Sequence, residues 1–574
     1  MRGYTRGLGS LGLRMANVVP MVQTRLAALA DKVHGLMNKM VDWFRPKPDF
    51  QTKKMALVGL VAAWAFAPHH YWFLGLISFI SLMVVGWFCQ TVKQAWCCGW
   101  WWAFGLHVGA LYWIGHCLFV DAIRFAWLWP LVITGLPAIL ALYTGFMMGL
   151  VVWLRLRQES LIEYAVTFAL MFSVTEWLQG HTFTGFPWNL TAYMWGNTGI
   201  AQMVSCFGSY GLGLLTLLVV AMMGALIIRH PGIKGLMYAA ASGFLVFSCA
   251  MVWGHWRLTC YPTQFHDLIV LRCVQPNISQ KEKIDPGYAL AHWRHLRSLT
   301  DTPTRKPYTH VIWPEGAFPW CMSPETMGLF PALQDKKILF GADYLAKPDI
   351  LYNSLLAYDP VNLLNFVYAK SHLVPGGEYL PFRHVLSRVI PKKWMQKITP
   401  GALDFSPGVD RHMVSVLGLP PFRCLICYEA VFPGTIRQSQ SQSQSQSQSQ
   451  SQSQSQGASD VDWILTMTND GWFGSSWGPH QHLLSARFRA IEEGLPVVRV
   501  ANTGISAIID PVGRIVQALP LGKAGVLDGP LPCRLAHMTL YGQFQDVLWW
   551  AMVLGCSILF LAWRWGRFVI NRKP

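Results

Sequence analysis

The sequence predicts a molecule in two parts: an α-helical membrane bundle of about eight transmembrane helices, and an α/β globular domain placed before the last of them. Two observations carry this prediction. Hydrophobic residues make up 53% of the 574 residues and charged residues only 13%, about half the ~25% charged share of a soluble domain, so much of the chain must lie in lipid. A helix needs about 20 mostly apolar residues to cross the hydrocarbon core; such runs fill most of residues 55–255 and recur once at 546–566. Between them, residues 265–535 carry short apolar runs, Pro and Gly punctuation and most of the Asp and Glu, the texture of a globular α/β domain.

The first 54 residues are basic, and the stretch LGLRMANVVPMVQTRLAALADKVHGLMNKMVDWF has apolar residues near helical spacing, a pattern suited to an interfacial amphipathic helix. Seven spans follow, at about 55–68, 72–88, 95–116, 127–154, 161–178, 200–228 and 235–255. The first two are short and flank Pro68, His69 and His70. Reading them as one helix would put the globular domain on the other side of the membrane. Charge decides, because cytoplasmic loops collect Lys and Arg. Seven spans put Lys93, Arg155, Arg157, Arg229 and Lys234 inside, together with Arg564, Arg567, Arg572 and Lys573 of the tail, whereas residues 179–199 hold no Lys or Arg. Both termini are therefore expected in the cytoplasm, with the globular domain facing outward. The net charge of +17 is largely this topology signal plus attraction to anionic lipid, and does not call for nucleic acid.

Residues 439–456 are nine Ser-Gln pairs. They have no apolar surface to bury and read as a disordered, solvent-facing insert. The thirteen cysteines are scattered without a disulfide framework.

Within the globular part, three apolar runs end in reactive side chains. THVIWPEGAF leads to Glu315, LLNFVYAKSHLVPGGEYLPF carries Lys370 and Glu378, and FRCLICYEA delivers Cys427. Open α/β sheets present their sites at strand ends in this way. Singly, each residue also fits a surface or core position. Together they supply acyl transfer with a carboxylate base, a thiolate nucleophile and a cation for the tetrahedral oxyanion. A redox Cys-x-x-C pair of Cys424 and Cys427 fits less well, because strand alternation puts them on opposite faces, and no further ligands suggest zinc. No metal or cofactor is expected.

The segments WPEGAFP, YAKSHLVPGGEYLPF, ICYEAVFPG, TNDGWFGSSWGPHQHL and ANTGISAIIDPVGRI, with GFPWN before the sixth helix, resemble successive signatures of the apolipoprotein N-acyltransferase family. The resemblance spans nearly the whole chain. It implies a nitrilase-like αββα sandwich on the periplasmic face of a bacterial inner membrane, with a catalytic triad of Glu315, Lys370 and Cys427 and supporting residues Glu378, Tyr428 and Glu429. It further implies a phospholipid acyl donor, typically phosphatidylethanolamine, and a diacylglyceryl-cysteine apolipoprotein acceptor. A monomer is expected. The chain departs from the family at Ile284, where Trp is usual, at Gln179, where Arg is usual, and in the Ser-Gln tract. Glu176, near the outer end of the fifth span, is a costly carboxylate and a candidate for headgroup or structural contacts. A membrane-anchored amidase would use the same triad, and a transporter would explain the spans but not the three reactive strand ends.

Overall fold

The structure is a computed structural model that describes Gly35 and residues 50–570, apart from 159, 305–306, 328–335, 361–362, 384–387, 389–402, 411–412 and 437–460. The Ser-Gln tract and, apart from Gly35 and residues 50–54, the basic N-terminal segment lie outside the described residues.

Among the described residues, seven helices of 13 residues or more precede the first strand: α1 (Phe50–Ala62), α2 (Trp72–Phe88), α3 (Val92–Leu111), α4 (Trp129–Gln158), α5 (Leu161–His181), α6 (Val204–Arg229) and α7 (Ile233–Cys260). The chain breaks between α1 and α2 at Pro68 and at His70, which has a φ of 56°, so the two short apolar runs form separate helices. The predicted span 95–116 is shorter than expected, because α3 ends at Leu111 and gives way to a 3-10 segment, Tyr112–Phe119. By length and composition, the stretches containing α4 to α7 and the C-terminal α10 (Val547–Ile570) can each cross a membrane. Helices α1 and α3 approach closely through glycines. A Cβ on Gly59 would lie 1.8 Å from the Trp102 carbonyl oxygen, and one on Gly105 would lie 1.9 Å from that of Ala56. Small residues allow such contact where no water drives helices together.

Eleven strands form two sheets among the described residues, ordered β11-β1-β2-β3-β4-β5 and β10-β9-β8-β7-β6. Strands β1 (Phe265–Gln275), β2 (His310–Ile312) and β3 (Lys337–Lys347) run parallel, and β4 (Ile350–Asp359) and β5 (Leu363–Ala369) follow antiparallel. In the second sheet β6 (Phe422–Ile426), β7 (Trp463–Thr468) and β8 (Val497–Ala501) are parallel; β9 (Ser506–Ile509) and β10 (Ile515–Leu519) close one edge, and β11 (Gly525–Pro532) returns to the first sheet. Leu271, Ile312, Leu339 and Tyr368 of one sheet pack against Phe422, Ile426, Leu465 and Val500 of the other. The outer faces are covered by α8 (Ala289–Thr300), through Leu296, and by α9 (Gly478–Glu493), through Leu483, Ala486 and Ala490. The layers are therefore α, β, β, α.

Helix α9 also ties the sandwich to the membrane helices. The Gln481 carbonyl oxygen accepts from the indoles of Trp113 (3.1 Å) and Trp188 (2.8 Å), and its amide nitrogen donates to the carbonyls of Ala67 (3.3 Å) and Ala110 (3.2 Å). Glu492 accepts from the Ser209 amide at 2.8 Å and pairs with Arg489 at 2.7 Å. Buried polar groups paired this fully fix one arrangement of the two halves.

Candidate active site

Strand direction brings the three reactive side chains to one end of the sandwich. Cys427 directly follows β6 and Lys370 directly follows β5, which runs in the same sense as β3; Glu315 lies three residues beyond β2. All three are buried. Lys370 Nζ donates to Glu378 Oε1 at 2.9 Å and lies 3.8 Å from Glu315 Oε1. Asn353 Nδ2, in the middle of β4, donates to both carboxylates, at 2.7 Å to Glu315 and 3.1 Å to Glu378. Glu378 Oε2 accepts the Val374 amide at 2.7 Å, which closes the intervening loop. Burial works against the Lys370 charge, but Glu378 and Glu315 outweigh it and hold the ammonium above its usual range.

Cys427 has a φ of 54°, a left-handed conformation unusual for a non-glycine residue and common at functional sites. Strand alternation ends there. Cys424 and Cys427 consequently both contact the inter-sheet core instead of opposite faces, which corrects the expectation from spacing. Burial pushes the Cys427 thiol well up; Glu315 adds to the rise, while Lys370 and a hydrogen bond from Thr468 oppose it. The resting group is a thiol, so attack needs a base. Cys424 is fully buried within β6, and its thiol is also pushed up by burial.

Glu429 and Tyr428 brace this corner. Glu429 Oε1 accepts from the Tyr368 hydroxyl (2.9 Å), the Ser371 amide (2.7 Å) and hydroxyl (2.8 Å), and the His372 amide (3.0 Å), while Oε2 accepts the Ile426 amide (2.7 Å). One carboxylate thereby ties the chain after Lys370 to the chain before Cys427. The Tyr428 hydroxyl donates to the Gly185 carbonyl at 2.7 Å, in the loop after α5.

Glu315, Asn353, Lys370, Glu378, Cys427 and Tyr428 line a cleft of about 700 Å3. Its floor holds Glu315, Lys370, Glu378, Cys427 and Tyr428; its walls include Ile114, Leu136, Ile139 and Leu140 of the helical part. Two of the three departures from the family pattern, Gln179 and Ile284, line it as well. Glu176 does not: its carboxylate accepts the Thr191 amide (2.8 Å) and hydroxyl (2.7 Å), a structural contact. Sequence reasoning passed over Asn353 and Lys283. Asn353 had a signal, as a polar residue inside an apolar strand. Lys283, in the charged run QKEK, reads as surface, yet its ammonium donates to the Glu315 carbonyl at 2.9 Å. No cluster of His, Cys, Asp and Glu suited to a metal occurs among the described residues.

Comparison with known proteins bears on both halves. The family model described as apolipoprotein N-acyltransferase N-terminal domain matches residues 58–222, and that described as carbon-nitrogen hydrolase matches residues 282–536. The apolipoprotein N-acyltransferase of Rhodopseudomonas palustris is 37% identical over 518 residues, covering 86% of this chain and 91% of the relative. That of Bradyrhizobium diazoefficiens is 35% identical over 552 residues, covering 91% and 96%. The chain belongs to the apolipoprotein N-acyltransferase family. Among solved structures, an amidase from Nesterenkonia sp. AN1 aligns over 46% of this chain and 93% of its own, at 14% identity and a TM-score of 0.30. As an apolipoprotein N-acyltransferase, the chain is a membrane enzyme whose cysteine chemistry belongs to a nitrilase-like domain.

Proposed function

We propose that the enzyme transfers a fatty acyl chain from a membrane phospholipid to the N-terminal α-amino group of diacylglyceryl-cysteine apolipoproteins through a thioester on Cys427. The cleft is the observation that carries this reading. It joins the Glu315, Lys370 and Cys427 side chains to apolar helix walls, which a lipid needs and a small amide does not.

In the first half-reaction Glu315 takes the thiol proton and the sulfur attacks the donor ester carbonyl. The Lys370 ammonium and the Tyr428 amide stabilise the oxyanion. Collapse breaks the ester C–O bond, and the lysophospholipid leaves with the proton returned by Glu315. In the second half-reaction the lipoprotein amine attacks the thioester, Glu315 accepts a proton from the amine, and the Cys427 sulfur departs and is reprotonated. Phosphatidylethanolamine is the proposed donor. The protein acts as a monomer in the bacterial inner membrane, with termini in the cytoplasm and the catalytic domain in the periplasm; the Lys and Arg asymmetry supports this orientation.

Incubated with phosphatidylethanolamine alone, the purified enzyme should gain the mass of one acyl chain on the peptide containing Cys427. Neutral hydroxylamine should release the chain, and a diacylglyceryl-cysteine peptide should discharge it as an amide. Turnover with no trappable adduct, or an adduct on another residue, would overturn the thioester route.

A further inference from the structure

Behind the nucleophile lies a buried group of side chains that the acyl-transfer steps above leave unused. His482, on α9, places Nε2 3.0 Å from the Cys427 carbonyl oxygen and Nδ1 2.8 Å from Asp470 Oδ1. Asp470 Oδ2 accepts from Arg499 at 2.7 Å, and its Oδ1 accepts from the Thr468 hydroxyl at 2.9 Å. Asp470, His482 and Arg499 are fully buried. Burial opposes the Asp470 charge, but Arg499 and His482 outweigh it and hold the carboxyl below its usual range. A carbonyl oxygen can only accept, so Nε2 of His482 donates to Cys427, while Nδ1 faces both Asp470 Oδ1 and, at 3.2 Å, Arg499 Nη2. A buried polar network therefore stands behind Cys427, and its nearest member, His482, bonds the Cys427 carbonyl.

That carbonyl belongs to the same peptide group as the Tyr428 N–H. The amide lies at the start of the 3-10 turn Cys427–Val431, where backbone donors have no acceptor within the turn. A hydrogen bond to one end of a peptide group strengthens the donor at its other end. We propose that His482 is a positioning residue for acyl transfer: its bond to the Cys427 carbonyl holds the left-handed backbone of the nucleophile and makes the Tyr428 amide a stronger oxyanion donor. No bond to substrate forms at His482. Its effect reaches the tetrahedral intermediate through one peptide unit. This rests on the acyl-transfer reading given above.

The test compares two reactions of Cys427 in the full-length purified enzyme. Acyl charging from phosphatidylethanolamine builds an oxyanion, whereas alkylation by iodoacetamide does not. His482→Ala should slow single-turnover charging about 100-fold, the loss typical of an oxyanion donor, with half-saturating phospholipid within about twofold and alkylation within about threefold. His482→Gln keeps a donor near Nε2 but loses the ring's contact with Asp470, and should charge about tenfold faster than the Ala variant. Charging by His482→Ala at the wild-type rate, or alkylation slowed as much as charging, would overturn the proposal. If the Ala protein does not fold, His482→Gln against wild type decides: charging about tenfold slower at matched alkylation supports the role, and equal charging removes it. Wild-type enzyme that fails to charge at all would instead sink the acyl-transfer reading.

Discussion

Lys370 Nζ lies 2.9 Å from Glu378 Oε1 and 3.8 Å from Glu315 Oε1, so one buried ammonium serves two carboxylates, and the supporting residue is the nearer. On the proposed mechanism the pairing separates tasks: Glu378 holds the lysine in place, leaving Glu315 for the thiol proton. Removing one member of a buried pair strands the other, at a cost of about 3–5 kcal/mol. Lys370→Met should therefore both lower the thermal midpoint and abolish charging. Adding Glu378→Gln to Lys370→Met should restore much of the midpoint and none of the charging. Recovery of charging in the double variant would remove Lys370 from the chemistry.

Cys427 and Cys424 offer a second test, because both thiols are buried and only one leaves the strand in a left-handed turn. Cys427→Ala should abolish N-acylation, and Cys424→Ala should leave most of it. The raised pKa of Cys427 has a definite sign: the thiol form dominates at neutral pH, and the thiolate fraction grows tenfold per pH unit until the shifted value is reached. Alkylation of Cys427 should keep rising beyond the ~8.5 of an unperturbed thiol. Glu315→Gln removes a neighbouring negative charge, so it should move that titration to lower pH while eliminating charging. A titration that moves upward would contradict Glu315 as the base beside the thiol.

Orientation yields a third prediction. A cysteine placed in the Ser-Gln tract, residues 439–456, should react with an impermeant thiol reagent in intact cells whose outer membrane has been permeabilised. Labelling only after lysis would reverse the topology. Deleting the tract should leave expression and charging near wild type, since its composition offers nothing to pack.

Much of the site was legible because strand ends are legible. An apolar run that stops at a charged or nucleophilic residue marks a position where the chain leaves the core, and Glu315, Lys370 and Cys427 all follow such runs. The membrane helices were legible for the same reason, as length and apolarity mark them. The supporting network was not. Lys283, His482 and Gln481 lie in polar or mixed segments whose partners are remote in sequence: Lys283 meets Glu315, His482 meets Cys427, and Gln481 meets Ala67, Ala110, Trp113 and Trp188. A polar residue on a helix reads as solvated until the facing element is known. The left-handed turn at Cys427 also defeated alternation, because period-two reasoning holds only while the strand continues.

Glu429 supplies the last prediction, since its carboxylate accepts five hydrogen bonds from two chain segments. Three donors come from the turn after β5 that carries Lys370, one from Tyr368 within β5 and one from Ile426 just before Cys427. The carboxylate therefore sets the distance between the cation and the nucleophile without touching either side chain. Glu429→Gln is nearly isosteric but replaces one acceptor oxygen with an NH2 group, which must face either the Ile426 amide or the group of four donors. Either way donor meets donor, and hydrogen bonds to a charged group contribute about 1.5–3 kcal/mol each. The variant should lose at least about 2 kcal/mol of stability and most of its charging rate, while the phospholipid concentration giving half-maximal rate changes little, because the apolar walls of the cleft are untouched. Glu429→Asp keeps the charge but shortens the reach by one methylene, so it should recover stability better than rate. Wild-type charging in Glu429→Gln would show that the spacing of Lys370 and Cys427 is held by the sheets alone.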